Sequence, residues 1–371
     1  MRIFVTAAGG TEKALKEELR ELGYRRLQGQ RGGVWLSGNR EVAARICLHS
    51  RVAVRVLAEL GRFACPDEDA LYRGVQGLEW ARWLTPERSL AVTSVARSSG
   101  LTHTQYIAQK TKDAIVDAQR VAHGRRSSVD RNDPDVAVFV HLEKNEAGVF
   151  LDASGRSLHL RGWRTEATEA PLKETLAAAM VRLGGWDRET PLFDPMCGSG
   201  TLVIEADLMA RRVPTHPRAH RFGFERWADY DAEAAAAIDA LREEAHAGAR
   251  ATGPRCAGAD IDPEAVDIAR RNAERAGAQA HFSEAALGAL RLEGPHHVLS
   301  NPPYGQRLEA DAAFWEALRG AMRRNPECTF SLLLPEEGAP RDLGERRAVR
   351  AHPLFNGRIR CRLVTWSSMK T

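Results

Sequence analysis

From Pro171 to Trp366 short apolar runs alternate with helical stretches, and this rhythm constrains the fold more than any other feature of the chain. Buried strands alternating with helices need a sheet covered on both faces, the pattern of a parallel α/β domain. The expected elements are a helix over 172–183, strand Leu192–Asp194, a helix from Thr201, an alanine-rich helix Ala232–Ala249, strand Arg255–Asp260 and helix Pro263–Ala276. Strands at Ala280–Phe282 and Val298–Ser300, helix Ala312–Arg324 and strand Thr329–Leu334 continue the alternation. Val349–Phe355 and Ile359–Trp366 flank the Asn356-Gly357 turn and read as a closing antiparallel hairpin.

The residues before Leu160 lack this rhythm and read as two successive α+β units. In the first, Ile3–Thr6 is a strand, and Ala14, Leu15, Glu18, Leu19 and Leu22 share a helical face that ends at Gly23. Val34–Leu36 is extended, Asn39 caps a helix over 41–48, and Val52–Leu60 alternates as a strand. In the second, Asp67–Val75 is helical, Leu90–Val95 is a strand, and Tyr106–Val121 is a helix with Ile107, Ala108, Ala114, Ile115 and Ala118 inward. Val136–His141 and Val149–Asp152 form a hairpin closing through Glu146-Ala-Gly148. The resulting boundaries are 1–60, 61–158, a linker over 159–170 and a third domain over 171–371.

Charge separates the same parts. Residues 1–165 hold 26 Lys and Arg against 19 Asp and Glu, a balance of +7, and the remainder holds 27 against 30, a balance of −3. A basic front beside a slightly acidic back suits a polyanion-binding module joined to a catalytic one. Arg97, Lys110, Lys112, Arg125 and Arg126, near the ends of the second unit's elements, are the expected contacts to a nucleic-acid backbone. The six cysteines show no Cys-x-x-Cys pair, which argues against zinc, iron–sulfur and disulfide frameworks. His216, His220, His296 and His297 have no ligand-like partners, so no metal is expected. No apolar run approaches the ~20 residues of a membrane span, and Met1-Arg-Ile-Phe opens as a strand and not as a leader; a cytoplasmic monomer is expected.

Two stretches carry chemistry. Asp194-Pro-Met-Cys-Gly-Ser-Gly200 follows a buried strand and opens a helix. Gly198 and Gly200 permit a backbone approach that a β-carbon would block. A dinucleotide fingerprint would need a third glycine where Val203 stands, and a phosphate loop would need Gly-Lys-Ser/Thr, so neither fits. What remains is a turn for the methionine part of S-adenosylmethionine, with Asp194, Pro195, Met196, Gly198 and Gly200 around it. Asp260-Ile261-Asp262 ends the next strand. Asp260 is expected to accept both ribose hydroxyls, Asp262 to cap the helix that starts at Pro263, and Glu284, with Ser283, to lie where adenine rests. Cys197 reads as space-filling.

The second stretch is Asn301-Pro302-Pro303-Tyr304, at the tip of a further strand. An amine conjugated to a base is a poor nucleophile because its lone pair is delocalised. The Asn301 side-chain oxygen and the Pro302 carbonyl can accept both amine hydrogens and favour a pyramidal nitrogen. Consecutive prolines stiffen the segment and remove competing donors. Tyr304 offers a face on which an extruded base stacks. Together the stretches point to methylation of an exocyclic amine of a nucleic-acid base.

The chain also resembles a known family. Thr6-Ala-Ala-Gly-Gly-Thr-Glu12, Leu71-Tyr-Arg-Gly-Val75, Lys112-Asp-Ala-Ile-Val-Asp117 and Leu151-Asp-Ala-Ser-Gly155 are similar to the front of bacterial RNA methyltransferases that carry a THUMP domain. Ala170-Pro-Leu-Lys-Glu-Thr-Leu-Ala-Ala178, the Asp194 turn, Trp227, Gly258-Ala-Asp-Ile-Asp262 and Ser300-Asn-Pro-Pro-Tyr-Gly305 resemble their catalytic domain. The resemblance implies a ferredoxin-like module, a THUMP module and a class I Rossmann-like methyltransferase domain. It further implies S-adenosylmethionine as donor, the N2 amine of guanine as acceptor and large-subunit (23S) ribosomal RNA as substrate. Transfer RNA guanine methylation, adenine-N6 methylation and a non-catalytic RNA-binding role are the alternatives.

Overall fold

The computed structural model describes residues 1–166, 171–303, 312–337, 343, 346 and 348–369. Its front part runs β1 (Arg2–Thr6), α1 (Glu12–Glu21), β2 (Gln28–Gln30), β3 (Gly33–Ser37), α2 (Arg40–His49), β4 (Arg55–Ala64), α3 (Glu68–Gln76), β5 (Leu90–Arg97), α4 (Thr104–His123), β6 (Val136–Glu143) and β7 (Glu146–Asp152). The two α+β units read from the sequence share one seven-stranded sheet, ordered β2-β3-β1-β4-β7-β6-β5. Its join is β4 against β7, with a register shift between Glu59 and Gly61. Asn39 caps α2 through the Val42 N–H and Asp67 caps α3 through the Ala70 N–H, as side-chain acceptors at helix N-termini do.

Three details depart from the sequence expectation. The strand expected at Val52 starts at Arg55, and Val52 and Ala53 are buried ahead of it. The β6–β7 hairpin closes through Lys144-Asn145, both at positive φ (53° and 60°), and not through Glu146–Gly148. Two left-handed residues match the twist of a two-residue hairpin. On α4 the buried positions include Ile107, Ala114 and Ile115, but Thr111 and Gln119 take the places expected of Ala108 and Ala118. Gln119 earns burial by hydrogen bonding with the Ser127 hydroxyl (2.9 Å) and the Ser127 N–H (2.8 Å).

The second part runs α5 (Glu174–Leu183), β8 (Leu192–Asp194), α6 (Thr201–Ala210), α7 (Ala232–Ala247), β9 (Cys256–Asp260), α8 (Pro263–Ala276), β10 (His281–Glu284), β11 (His297–Ser300), α9 (Ala312–Arg324), β12 (Thr329–Pro335), β13 (Ala348–Asn356) and β14 (Ile359–Trp366). The sheet order is β10-β9-β8-β11-β12-β14-β13, parallel from β10 to β12 and antiparallel at β14 and β13. After β8 the chain adds strands on one side, then returns to place β11 on the other. The carboxyl ends of β8 and β11 therefore flank the topological switch point, where open α/β sheets bind ligands. All six cysteines are free and buried.

Close contacts divide the chain into two compact units that do not follow sequence order. One comprises Met1–Thr6, Leu19–Leu158 and Arg218–Glu244; the other comprises Ala7–Glu18, His159–Pro217 and Ala245–Thr371. The segment between α6 and β9 is thus built into the first unit. There Trp227 packs edge-on against Trp83 (5.2 Å between rings), the Ala228 N–H donates to the Trp83 carbonyl (2.9 Å), and Arg45 forks onto Glu244 (3.1 Å).

Candidate active site

Leu192 to Asp194 feed the glycine turn, which is held by its own neighbours. The Asp194 carboxylate accepts from the Met196 N–H (3.1 Å) and from the Ser300 hydroxyl (2.6 Å), tying β8 to the end of β11. Gly198 donates its N–H to Asp260 (2.8 Å), and the Cys197 N–H donates to the Ala259 carbonyl (2.9 Å), tying the turn to β9. Gly198 and Gly200 sit at positive φ (50° and 80°). A β-carbon on Gly200 would stand 2.9 Å from the Phe282 ring, and one on Gly258 would stand 2.8 Å from the Cys197 β-carbon. Cys197 is therefore a space-filler over Gly258, as its neighbours in sequence suggest, and burial pushes its thiol well up.

The acids at the tip of β9 divide their work. Asp262 is the N-cap of α8 and accepts the Glu264 N–H (2.9 Å). Asp260 accepts the Gly198 and Asp262 N–H groups, one on each oxygen (2.8 and 3.1 Å). Each carboxylate oxygen retains a second lone pair, so both can still accept a hydroxyl. Glu284 lies directly across from Asp260 on β10. Ile261 is largely exposed between the two acids. A cavity of about 570 Å³ runs along β8 and β9 between Arg255, Phe193, Ala259, Leu290 and His296; of the motif residues only Pro195 lines it, so it lies beside the turn and the acids and does not contain them. A second cavity of about 440 Å³, lined by Arg40, Arg82, Trp83 and Ile238, contains none of the motif residues.

Asn301 lies immediately beyond β11, one strand from the Asp194 turn. Its side-chain oxygen is buried and has no hydrogen-bond partner among the described residues. A buried carbonyl left unpaired costs ~1–3 kcal/mol, which a donor brought by a ligand would recover here. Pro302 is buried and Pro303 half-buried beside it. Tyr304 lies outside the described residues.

Sequence reasoning missed a brace around the turn. Asn272, fully buried on α8, donates to the Ser199 carbonyl (3.1 Å) and to the Glu166 carbonyl (3.2 Å). Arg164 donates to the Leu172 carbonyl (2.8 Å), to Glu174 (2.8 Å) and to the Thr201 hydroxyl (3.5 Å) at the start of α6. The stretch read as a linker is thus anchored to the glycine turn over Arg161–Glu166. Burial lifts the Glu174 carboxyl to about 7 despite the opposing Arg164. An asparagine at a regular inward position of α8 was the visible signal.

Burial also raises the Asp194 carboxyl to about 7; nearby Asp260 adds to the rise, and the Ser300 hydroxyl and Met196 N–H oppose it. The fold therefore holds a proton that the unfolded chain has released, and this group's share of stability falls as pH climbs from the ordinary carboxylate range to about 7. A cationic ligand in the pocket selects the ionised form. Its affinity is expected to rise about tenfold between about pH 6 and 8, and Asp194→Asn should flatten that slope. Titration calorimetry with S-adenosylmethionine checks this; a wild-type affinity independent of pH would contradict it.

Four of the expected backbone-contact residues lie against neighbours in the chain. Arg125 pairs with Glu87 (2.7 Å), Lys112 pairs with Asp113, Arg126 donates to the Ser127 carbonyl (3.2 Å), and the Lys110 ammonium lies 5.3 Å from the Tyr72 ring centre. Arg97 closes β5 and is exposed.

A family model for the RMKL-like methyltransferase domain matches residues 161–365, more than half of the chain. The chain belongs to the RMKL-like methyltransferase family. Models of a THUMP domain and of the RlmL ferredoxin-like domain match residues 65–152 and 2–57 of this RMKL-like protein. It is 40% identical over 371 residues to the ribosomal RNA large subunit methyltransferase K/L of Methylococcus capsulatus, a match covering 97% of this chain and 50% of that one. The RMKL-like chain spans about half the length of the curated relatives it matches. Among solved structures it is similar to SMU.472, described as a methyltransferase and complexed with SAH (TM-score 0.88, 30% identity, 100% of this chain and 98% of that one). It is also similar to a Listeria monocytogenes protein assigned by prediction as an N6-adenine-specific DNA methylase (TM-score 0.86, 28% identity, 98% and 95% covered). S-adenosylmethionine is the donor of the RMKL-like family, and the positive-φ glycines and the acid at the tip of β9 fit it. Among the described residues no helix is long and apolar enough to cross a membrane.

Proposed function

We propose that the chain transfers a methyl group from S-adenosylmethionine to the exocyclic N2 amine of a guanine in large-subunit ribosomal RNA. The observation that carries this reading is the buried Asn301 oxygen, unpartnered among the described residues, just past the strand next to the glycine turn. The substrate class follows from the relatives named as ribosomal RNA large subunit methyltransferases and from the THUMP match.

When bound, S-adenosylmethionine supplies an electrophilic methyl group. Gly198 and Gly200 give its methionine part room, and Asp260 accepts from the ribose, with Glu284 beside it. Asn301 and the Pro302 carbonyl accept the two amine hydrogens and turn the nitrogen lone pair toward the donor. Held acceptors of this kind act through proximity and electrostatics, without a strong base. The proton leaves to water. Pro303 stiffens the segment, and Tyr304 stacks on the base. Arg97, Lys110, Lys112, Arg125 and Arg126 contribute dispersed contacts to the RNA backbone. The protein acts as a monomer in the cytoplasm.

The Listeria neighbour favours a second reading, transfer to adenine N6 through the same two acceptors. Mass-spectrometric nucleoside mapping of ribosomal and transfer RNA from cells lacking the protein separates the readings. Loss of one N2-methylguanosine from large-subunit RNA is expected; loss of N6-methyladenosine, or of a transfer RNA guanosine mark alone, would overturn the assignment.

A further inference from the structure

The front sheet has two unlike faces. Ile3, Val5, Val34, Leu36, Val56, Ala58, Val138, Val140 and Leu142 form one face and are buried. The register puts Phe4, Trp35, Leu57, Phe150, Phe139 and His141 on the other, with Thr93 and Val95 at its β5 edge. On this face Phe4, Phe139 and His141 are only partly buried, and Thr93 and Val95 are exposed. Four rings form a continuous row: Phe4 to Trp35 (4.8 Å), Trp35 to Phe150 (5.9 Å) and Phe150 to Phe139 (6.2 Å). The row draws Phe4 and Trp35 from the ferredoxin-like segment and Phe139 and Phe150 from the THUMP segment.

Cations lie over this row with acids beneath them. The Arg2 guanidinium stands 4.4 Å and that of Arg62 5.7 Å from the Trp35 ring centre. Both pair with Glu59 (3.1 and 2.9 Å), whose side chain is 8% exposed against 54% for Arg2. Arg55, 40% exposed, likewise covers Asp152, 3% exposed. Glu146, which also pairs with Arg62, and Glu143 opposite it are acids nearer the outer surface. A β-carbon on Gly148 would stand 2.9 Å from the Phe150 ring and 3.3 Å from the Arg62 guanidinium, so glycine lets both pack close over the strand. Trp35, Leu57 and Phe150 are buried beneath, so the outer layer is the partly buried Phe4 and Phe139 rings with the guanidinium planes. Unpaired bases stack on both kinds of plane, while their phosphates meet the cations; the bases of a duplex are already stacked and present no such faces.

We propose that this sheet face is the platform on which the substrate RNA lays an unpaired stretch, with successive bases on Phe4, Phe139 and the Arg2 and Arg62 planes. The proposal rests on the reading of the chain as an RNA methyltransferase. It places RNA recognition in stacking on one surface, where the dispersed lysines and arginines of α4 supply only backbone attraction.

The test uses the full chain and a labelled, unstructured RNA of about ten nucleotides, with a blunt RNA hairpin as the duplex probe. The double variant Phe4→Leu, Phe139→Leu keeps apolar volume and removes the rings. Val95→Glu adds an anion to the exposed edge of the same face and disturbs no packing. Both are expected to keep wild-type S-adenosylmethionine affinity; Val95→Glu should keep the thermal midpoint, and the double variant should lower it by a few degrees for its lost ring contacts while staying folded at the assay temperature. The double variant should bind the unpaired RNA at least about tenfold weaker and Val95→Glu about fivefold weaker, while the hairpin binds wild type more weakly than the unpaired strand does. Unchanged RNA affinity in both variants overturns the proposal, as does a wild-type chain that binds no unpaired RNA. Loss of a dimer in the variants, with RNA affinity unchanged, assigns the face to a second copy instead. If the variants lose RNA binding but the methylated nucleoside is not N2-methylguanosine, the platform stands and the reading of the target base falls.

Discussion

Asn301→Ala is expected to slow methyl transfer by about 10²–10³-fold, the scale seen when one fixed group that stabilises developing charge is removed. Donor affinity should stay within about twofold of wild type, because Asn301 follows β11 and the glycine turn proposed to face the donor is held by Asp194, Asp260 and Asn272. The substitution removes a buried oxygen that has no partner among the described residues, so no hydrogen bond seen there is lost. Stability should therefore hold or rise slightly, which separates a catalytic defect from a folding one. Calorimetry with S-adenosylmethionine, a thermal melt and a single-turnover transfer assay measure the three quantities. A variant with full activity would remove Asn301 from the chemistry.

Asp260→Ala is expected to weaken S-adenosylmethionine binding by about 1.5–3 kcal/mol, the range for hydrogen bonds to a charged group. Part of the loss would come through the turn, since the Gly198 N–H loses its acceptor. Asp262→Ala makes the contrast: it removes the N-cap of α8, which costs about 1 kcal/mol of stability, and should leave donor affinity nearly unchanged. If Asp262→Ala damaged donor binding and Asp260→Ala did not, the roles of the two acids would be exchanged.

Much of the catalytic half was legible because its local rules agree with the fold. Pro263 after Asp262 and Gly277 after Ala276 bracket α8, and the central strands β8, β9, β11 and β12 are short runs largely buried on both faces. The glycine turn and the Asn301 stretch were visible for a related reason: they need residue types that few other contexts require. What stayed hidden depends on chain segments distant in sequence. Nothing in Arg161–Glu166 announces that it is pinned by Asn272, about a hundred residues later. The residues around Trp227 read as part of the catalytic half, yet Arg40, Arg82 and Trp83 hold them in the front unit. In the same way Ala7–Glu18 groups with the catalytic residues, so cutting the chain at residue 170 would leave each piece incomplete, and RNA binding is better tested in the whole chain. The aromatic row was hidden by register: Phe4, Trp35, Phe139 and Phe150 look like ordinary strand residues until β4 and β7 pair.

The most direct test of the central claim is transfer of an isotopically labelled methyl group to protein-free large-subunit ribosomal RNA, followed by digestion to nucleosides and mass spectrometry. Label should appear in N2-methylguanosine with the wild-type chain and be lost with Asn301→Ala. Label in N6-methyladenosine, in a ring-nitrogen methylguanosine, or equally in the products of both proteins would contradict it.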